Sequence, residues 1–306
     1  MNRIPRRSIL SLALFALTFA PSQAAAGPPG FAFLEVPAGA RASALGGAYV
    51  SLCEGVESAF WNPAGLAAVH GIQVVGSHVE FLQSLRHDQF AVAGRLLGGG
   101  TSAGIRAMYS EAIVERDEVG NEVGSFGGHD LEFSLGYGLA AGQAWRIGGS
   151  AQVLRERIAE SAATTMAFGA GTTWEPLPSL KAGLSLEHLG PAARYRIGGE
   201  RGQPVPLPMA GQAGVSYGFG SPMAVGGHVA LEARLTRGES GVAMVGGEIT
   251  HPVGAALRLG VRAGDRIAPV SYGVGWKLPT VRLDYAFVPY KLDLGDTHRL
   301  SFVAQF

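Results

Sequence analysis

Gly214-Val215-Ser216-Tyr217-Gly218 has the G-x-S-x-G spacing of a nucleophile elbow. That chemistry needs a serine held on a tight strand-to-helix turn, with its hydroxyl clear of the sheet. Here Ser216 falls on the polar side of an alternating strand and no helical period follows, so the match is chance in a Gly- and Ser-rich chain. The eight histidines (His70, His78, His87, His129, His188, His228, His251 and His298) never stand at metal-ligand spacing, and the single cysteine adds no soft donor pair. They read as interfacial or loop residues, and Cys53 as a small buried thiol. The stretch from Asp117 to Glu122 is acidic around a glycine but lacks the spaced carboxylates of an EF-hand, so it reads as a solvated loop. Gly98-Gly99-Gly100 is followed by no phosphate-binding lysine and reads as a tight turn. No catalytic residue, metal site or cofactor is expected.

What remains is charge in a pattern. Glu232, Arg258, Arg262, Arg282, Asp284 and Arg299 sit on the polar side of segments that alternate with period two. Such charges belong inside a barrel, where they pair. The expected partners are one another, or Glu54 and Glu57 upstream. Salt bridges anchoring a plug are the first reading and a permeation path the second.

The elements that carry these charges are strands. Leu131, Phe133, Leu135, Tyr137 and Leu139 alternate with Asp130, Glu132, Ser134, Gly136 and Gly138; Val281 to Phe287 and Leu300 to Phe306 repeat the pattern. Period two gives a strand two unlike faces. Strands are predicted near 71–82, 87–97, 101–115, 128–141, 144–160, 162–174, 180–189, 208–219, 223–236, 240–250, 255–264, 269–277, 280–288 and 297–306, with 71–82 and 240–250 alternating least cleanly. Short links near 98–100, 142–143, 175–179, 220–222, 251–254 and 278–279 alternate with longer ones near 116–127 and 190–207, which is the asymmetry of an outer-membrane barrel with periplasmic turns and extracellular loops. Trp145, Trp174, Trp276 and Phe306, with Phe219, all fall on the short-turn side and form an aromatic girdle.

Composition agrees with a barrel. Of 306 residues 46 are glycine and only 16% are charged, with 24 basic and 24 acidic side chains, so no basic excess points to nucleic acid. Arg3, Arg6 and Arg7, an uncharged run to Ala20, Pro21 and Ala24-Ala25-Ala26 make a secretory signal peptide over residues 1–26.

The stretch from Phe33 to Val69 resembles the N-terminal signature of FadL-like outer-membrane proteins, and more closely that of the PorV/PorQ family. Gly39-Ala40-Arg41-Ala42 and Gly46-Gly47-Ala48 there precede a box like Asn62-Pro63-Ala64-Gly65-Leu66. The segments from Leu186 to Pro208 and from Leu294 to Phe306 are similar to that family's connection before its eighth strand and to its last strand. The resemblance implies a transmembrane antiparallel barrel of about fourteen strands at residues 71–306, plugged by a hatch at 27–70. The box reads as a hinge between plug and wall, with Phe60 and Trp61 wedged against the wall or marking the rim. It implies a non-enzymatic scaffold or shuttle for exported proteins, as in type IX secretion; the alternative is a FadL-like channel for small hydrophobic compounds. Short loops weigh toward the scaffold. A pocket lined by apolar hatch residues would weigh toward the channel, and a lumen crossed by paired charges toward the scaffold. Expected partners are outer-membrane lipid, the barrel-assembly machinery at the C-terminal strand, and either secreted cargo or hydrophobic small molecules.

Overall fold

Lipid leaves no solvent for a strand edge, so a membrane sheet must close on itself. The computed structural model describes residues 29–81, 85–221, 224–291 and 295–306; the expected leader at 1–26 lies outside them. Its strands are β1 Gln73–Glu80, β2 Arg86–Leu96, β3 Gly99–Tyr109, β4 Ile113–Arg116, β5 Glu122–Phe126, β6 Gly128–Ala140, β7 Trp145–Ile158, β8 Ser161–Leu177, β9 Leu180–Leu189, β10 Ala193–Ile197, β11 Glu200–Val205, β12 Ala210–Phe219, β13 Gly226–Thr236, β14 Val242–Thr250, β15 Ala255–Ala263, β16 Val270–Lys277, β17 Val281–Pro289 and β18 Asp296–Gln305. Leaving out the hairpins β4–β5 and β10–β11, fourteen antiparallel strands form a closed barrel. Closure runs through β1, where Gln73 lies opposite both Ala93 of β2 and Gln305 of β18.

All fourteen expected wall strands are present. The expected strand at 101–115 ends at Tyr109, and its last residues belong to the β4–β5 hairpin. The expected loops at 116–127 and 190–207 each hold hairpin residues, because two extended arms facing each other across a short turn satisfy their own backbone groups. One barrel end carries short turns and both wall termini; the other carries the two hairpins. The β2–β3 turn has Leu97 at φ 52 and Gly98 at φ 81, the doubly positive geometry whose twist matches its flanking strands.

The wall is apolar outside and polar inside. Phe133, Leu135, Leu231, Leu257 and Phe302 are exposed, whereas Glu132, Ser134, Gln152, Ser271, Asp284 and Arg299 are buried. Trp145 lies opposite Trp174 near the turn end, their rings stacked 5.8 Å apart. Trp276, one residue from the end of β16, and Phe306 lie at the same end. Leu135 is 65% exposed in mid-strand, so Leu135→Arg should cost roughly 2–4 kcal/mol. The loss should show as less of the heat-modifiable folded form on a gel; normal assembly of this variant would reverse the inside and outside of β6.

Candidate functional site: the hatch and its seat in the lumen

Residues 29–70 fill the lumen from one end to the other. At the hairpin end the Gly30 N–H donates to Pro206 O at 3.1 Å, and the Phe31 N–H to Glu156 Oε2 at 2.7 Å. The chain then descends through a 3₁₀ turn at Ala32–Glu35, a short helix α1 at Ala40–Ala44, and 3₁₀ turns at Gly55–Phe60 and Pro63–Ala68. It leaves at the turn end, where Ile72 and Phe306 exchange backbone bonds of 3.2 and 2.9 Å. Small residues suit this path because the hatch backbone lies against the wall backbone. Gly46, at φ 69, passes so near Gly260 and Val261 that a Cβ would sit 3.2–3.3 Å from their backbone.

The Asn62-Pro63-Ala64-Gly65-Leu66 box has a dedicated seat. Gly100 of β3, Gly138 of β6, Gly148 of β7 and Gly171 of β8 are successive cross-strand partners and form a row of inward glycines. A Cβ on any of them would overlap the box: on Gly100 it would meet Leu66 O, on Gly138 and Gly148 the Pro63 backbone, and on Gly171 the Asn62 amide. Asn62 is fully buried; its Nδ2 donates to Val50 O at 3.1 Å and Thr172 O at 3.2 Å, while Oδ1 accepts the Ala64 N–H at 3.2 Å. The box is therefore a floor locked onto four strands rather than a free hinge. Trp61 turns inward, its ring edge-on to Tyr49 at 5.6 Å and its indole N–H donating to Ala38 O at 3.0 Å. Asn62→Ala with Pro63→Ala strips the preset turn and the Asn62 hydrogen bonds to Val50, Thr172 and Ala64, worth about 0.5–1.5 kcal/mol each. Faster proteolysis within the hatch is expected; unchanged protease resistance and permeability would count against the lock.

On strands β14, β15 and β17, charge ties hatch to wall in a closed ring. Arg41 Nη2 and Nε donate to Glu248 Oε1 and Oε2 at 2.7 and 2.9 Å. Arg258 Nε also donates to Glu248, and its Nη1 approaches Asp284 Oδ1 at 2.9 Å, in ion-pair contact but without the alignment of a hydrogen bond. Asp284 Oδ2 accepts Arg282 Nε at 2.7 Å, and Arg282 reaches Glu57. The Tyr49 hydroxyl donates to Glu57 at 2.9 Å and accepts Arg41 Nη1 at 3.2 Å, closing the circuit. Three guanidiniums face three carboxylates, so this buried group is neutral. Burial alone would raise the Glu57 carboxyl, but Arg282 and Arg41 outweigh it and hold the group below the usual carboxylate range.

The other expected lumen charges are placed differently from one another. Arg262 pairs with Asp265 of the β15–β16 turn at 3.1 Å. Among the described residues Arg299 meets no carboxylate; it donates to Ser43 Oγ at 2.9 Å, to Pro37 O and to Tyr290. Among the described residues Glu232 meets no cation; it accepts the backbone N–H groups of Val50 and Ser51 at 2.9 and 3.1 Å, and a hydrogen bond from Gln212 Nε2 at 2.7 Å. Both hold hatch backbone or hydroxyls, partners that strand periodicity cannot announce. Glu54 joins Arg146 and Lys181 near the turn end, each at 2.7 Å. His87 and His188 correct the reading of the histidines as interfacial: both are buried in the interior. His188 takes φ 57 where the β8–β9 register shifts. Ser216 lies mid-strand between Ala230 and Lys181, with no helix after it. Asp117 closes its loop by accepting Val119 and Asn121 N–H groups.

Between hatch and wall a cavity of about 40 Å³ remains. Leu34, Val36, Pro37 and Trp61 line its hatch side; Arg106, Glu187, Arg234 and Arg262 line its wall side. Both discriminating features, an apolar hatch face and paired lumen charges, thus occur together. Glu35 also borders the cavity, with Oε1 buried and unpartnered. Burial, then the neighbouring Glu239 carboxylate, push its pKa up to about 7, against a smaller pull from Arg234. A seated Glu35 binds its proton more tightly than a released one. Seating is therefore favoured at low pH and weakens as pH rises from the ordinary carboxyl value toward and through 7. Thiol labelling of Leu34→Cys, in a Cys53→Ser background and normalised to the unfolded chain, should rise between about pH 5 and 8. Glu239→Gln should move that rise to lower pH, and a flat profile would exclude the linkage.

No protein-family model matches the chain, and no curated protein matches it. Among solved structures the chain is similar to the Pseudomonas putida toluene transporter TodX, with TM-score 0.63 and 13% identity, covering 88% of this chain and 98% of that one. It is similar to the Ralstonia pickettii toluene transporter TbuX, at TM-score 0.58 and 12% identity over 88% and 98%. It is also similar to a Pseudomonas aeruginosa FadL homologue, at TM-score 0.52 and 11% identity over 88% and 98%. The finer likeness to the PorV/PorQ family finds no support in a family model or a curated sequence. What the chain shares with these structures is a fold, the closed fourteen-stranded barrel of FadL-like outer-membrane channels.

Proposed function

We propose that the protein is an outer-membrane channel for small hydrophobic compounds, closed by its hatch, with the turn end in the periplasm. The observation that carries this reading is a hatch-filled fourteen-stranded barrel sharing its architecture with two toluene transporters over 88% of the chain. The apolar hatch side of the cavity supports it. A dry cavity that holds benzene measures about 150 Å³, so 40 Å³ requires the hatch to move before a solute passes. Scaffolding of exported proteins is the second reading, supported by the neutral ion-pair ring that fastens the hatch. Uptake of radiolabelled toluene at low concentration, in cells with and without the gene, separates the two. Slower uptake after deletion, restored by the wild-type chain, is the expected result. Equal uptake, with exported proteins recovered on crosslinking in the native membrane, would replace the channel by the scaffold.

A further inference from the structure

Charge is scarce on the outward face of the wall, and one cluster at the hairpin end stands apart. From the turn end upward, the outward residues of β7 are Trp145, Ile147, Gly149, Ala151, Val153, Arg155 and Arg157. Ten residues separate Trp145 from Arg155, about 33 Å of strand at about 3.3 Å per residue. At a tilt of about 35–45° this rises about 25 Å, the height of the apolar band of such barrels. With Trp145 at one interface, Arg155 and Arg157 stand at the headgroup level of the other.

The cluster continues sideways. Arg157 lies opposite Ala162 of β8, Ala162 opposite Arg196 of β10, and Arg196 opposite Arg201 of β11. Arg194 is two residues from Arg196 and shares its face. That face is outward, because the intervening Tyr195 points inward to Glu156 at 2.7 Å and Ala193 is buried. The five arginines are all exposed. Among the described residues none of them makes a salt bridge; Arg157 and Arg194 donate only to the backbone carbonyls of Ala159 and Gly202. Of the other exposed arginines at this end, Arg86 pairs with Glu111 at 3.0 Å and Arg116 with Glu122 at 2.7 Å, whereas Arg237 and Arg266, on the β13–β14 and β15–β16 turns, make no salt bridge among the described residues; the five are set apart by being gathered on adjacent strands. Adjacent strands are about 4.8 Å apart, so Arg157 and Arg201 stand within about 15 Å of each other. Like charges gathered so closely repel unless an anion joins them. Directly below lie exposed Phe133, Val153, Met166 and Phe168.

We propose that this patch binds the phosphorylated glycolipid of the outer leaflet, with its phosphates between Arg155, Arg157, Arg194, Arg196 and Arg201 and its acyl chains on the apolar surface beneath. The guanidinium fork matches phosphate oxygens bidentately, and the position of the patch immediately above the apolar band selects a lipid over a soluble anion. The assignment uses the orientation given above but not the transported solute, so a negative uptake experiment leaves it standing.

Native mass spectrometry of the full-length protein in detergent, with diphosphorylated lipid A as probe, tests it. Arg196→Gln with Arg201→Gln lies in the hairpin, outside the wall, and should lower the lipid-bound fraction about tenfold. Chemically dephosphorylated lipid A should bind the wild-type protein as weakly, and excess inorganic phosphate should not displace the intact lipid. Equal retention of the two lipids by the wild type would overturn the proposal, as would unchanged retention by a double variant that still migrates as a folded barrel. Displacement by free phosphate would overturn it in favour of a soluble-anion site.

Discussion

Glu248→Ala should unseat the hatch. Among the described residues Glu248 is the one wall carboxylate that holds both a hatch cation, Arg41, and a wall cation, Arg258. Its removal leaves three guanidiniums facing two carboxylates in a site where Arg258 and Asp284 side chains are at most 2% exposed. Breaking a buried pair on one side costs about 3–5 kcal/mol, because the remaining charge is stranded. The wall cannot relax to relieve it, since every wall strand is hydrogen-bonded on both edges. The hatch is tied by side chains and yields first. Cys53 reports this without engineering: it is the single cysteine, 1% exposed, and burial pushes its thiol well above the ordinary range. Its labelling by a maleimide should accelerate about 10²- to 4 × 10³-fold, the factor that 3–5 kcal/mol supplies at about 1.4 kcal/mol per decade. Arg262→Gln, which breaks only the pair with Asp265, should leave labelling unchanged. Slow labelling in both variants would show that the ring does not hold the hatch.

The members of that ring were unequally legible. Arg258, Arg282 and Asp284 lie on β15 and β17, whose clean alternation assigns each residue a face. Glu248 lies on β14, where Gly246-Gly247 blurs the alternation, so its inward aim could not be read. Arg41 and Tyr49 belong to the hatch, which has no period; only their neighbours' small size hinted at a packed segment. Arg106 and Glu132 form a further buried pair at 3.2 Å across β3 and β6; the alternation placed Glu132 inward, but pairing depends on register, which neither strand encodes alone. The fold needed only faces and was legible, strand by strand. The site needed registers between strands distant in sequence, and these are fixed by closure of the whole barrel.

The glycine row is the clearest such case, and it carries the second large effect. Gly148→Leu should expel the Asn62–Leu66 box. The obstacle on the hatch side is backbone, the Pro63 carbonyl and the Ala64 N–H, so no side chain can rotate away. Overpacking typically costs about 1–3 kcal/mol where side chains can adjust; here neither backbone can, and the cost falls at or beyond the upper end. Loss of the box also frees Asn62 from Val50 and Thr172, so the floor of the plug should detach as a unit. Gly149 is the control. It is the next residue, faces outward, and its added Cβ would find only Gly169 O at 3.7 Å, so Gly149→Leu should be tolerated and suit a lipid-facing strand. In intact cells Gly148→Leu should admit antibiotics that the wild-type barrel excludes, with Cys53 labelled rapidly and heat-modifiable migration preserved. Gly149→Leu should behave as wild type on all three counts. Equal behaviour of the two variants would mean that the box is not seated on the glycine row, because they differ only in the face of β7 to which the leucine is added.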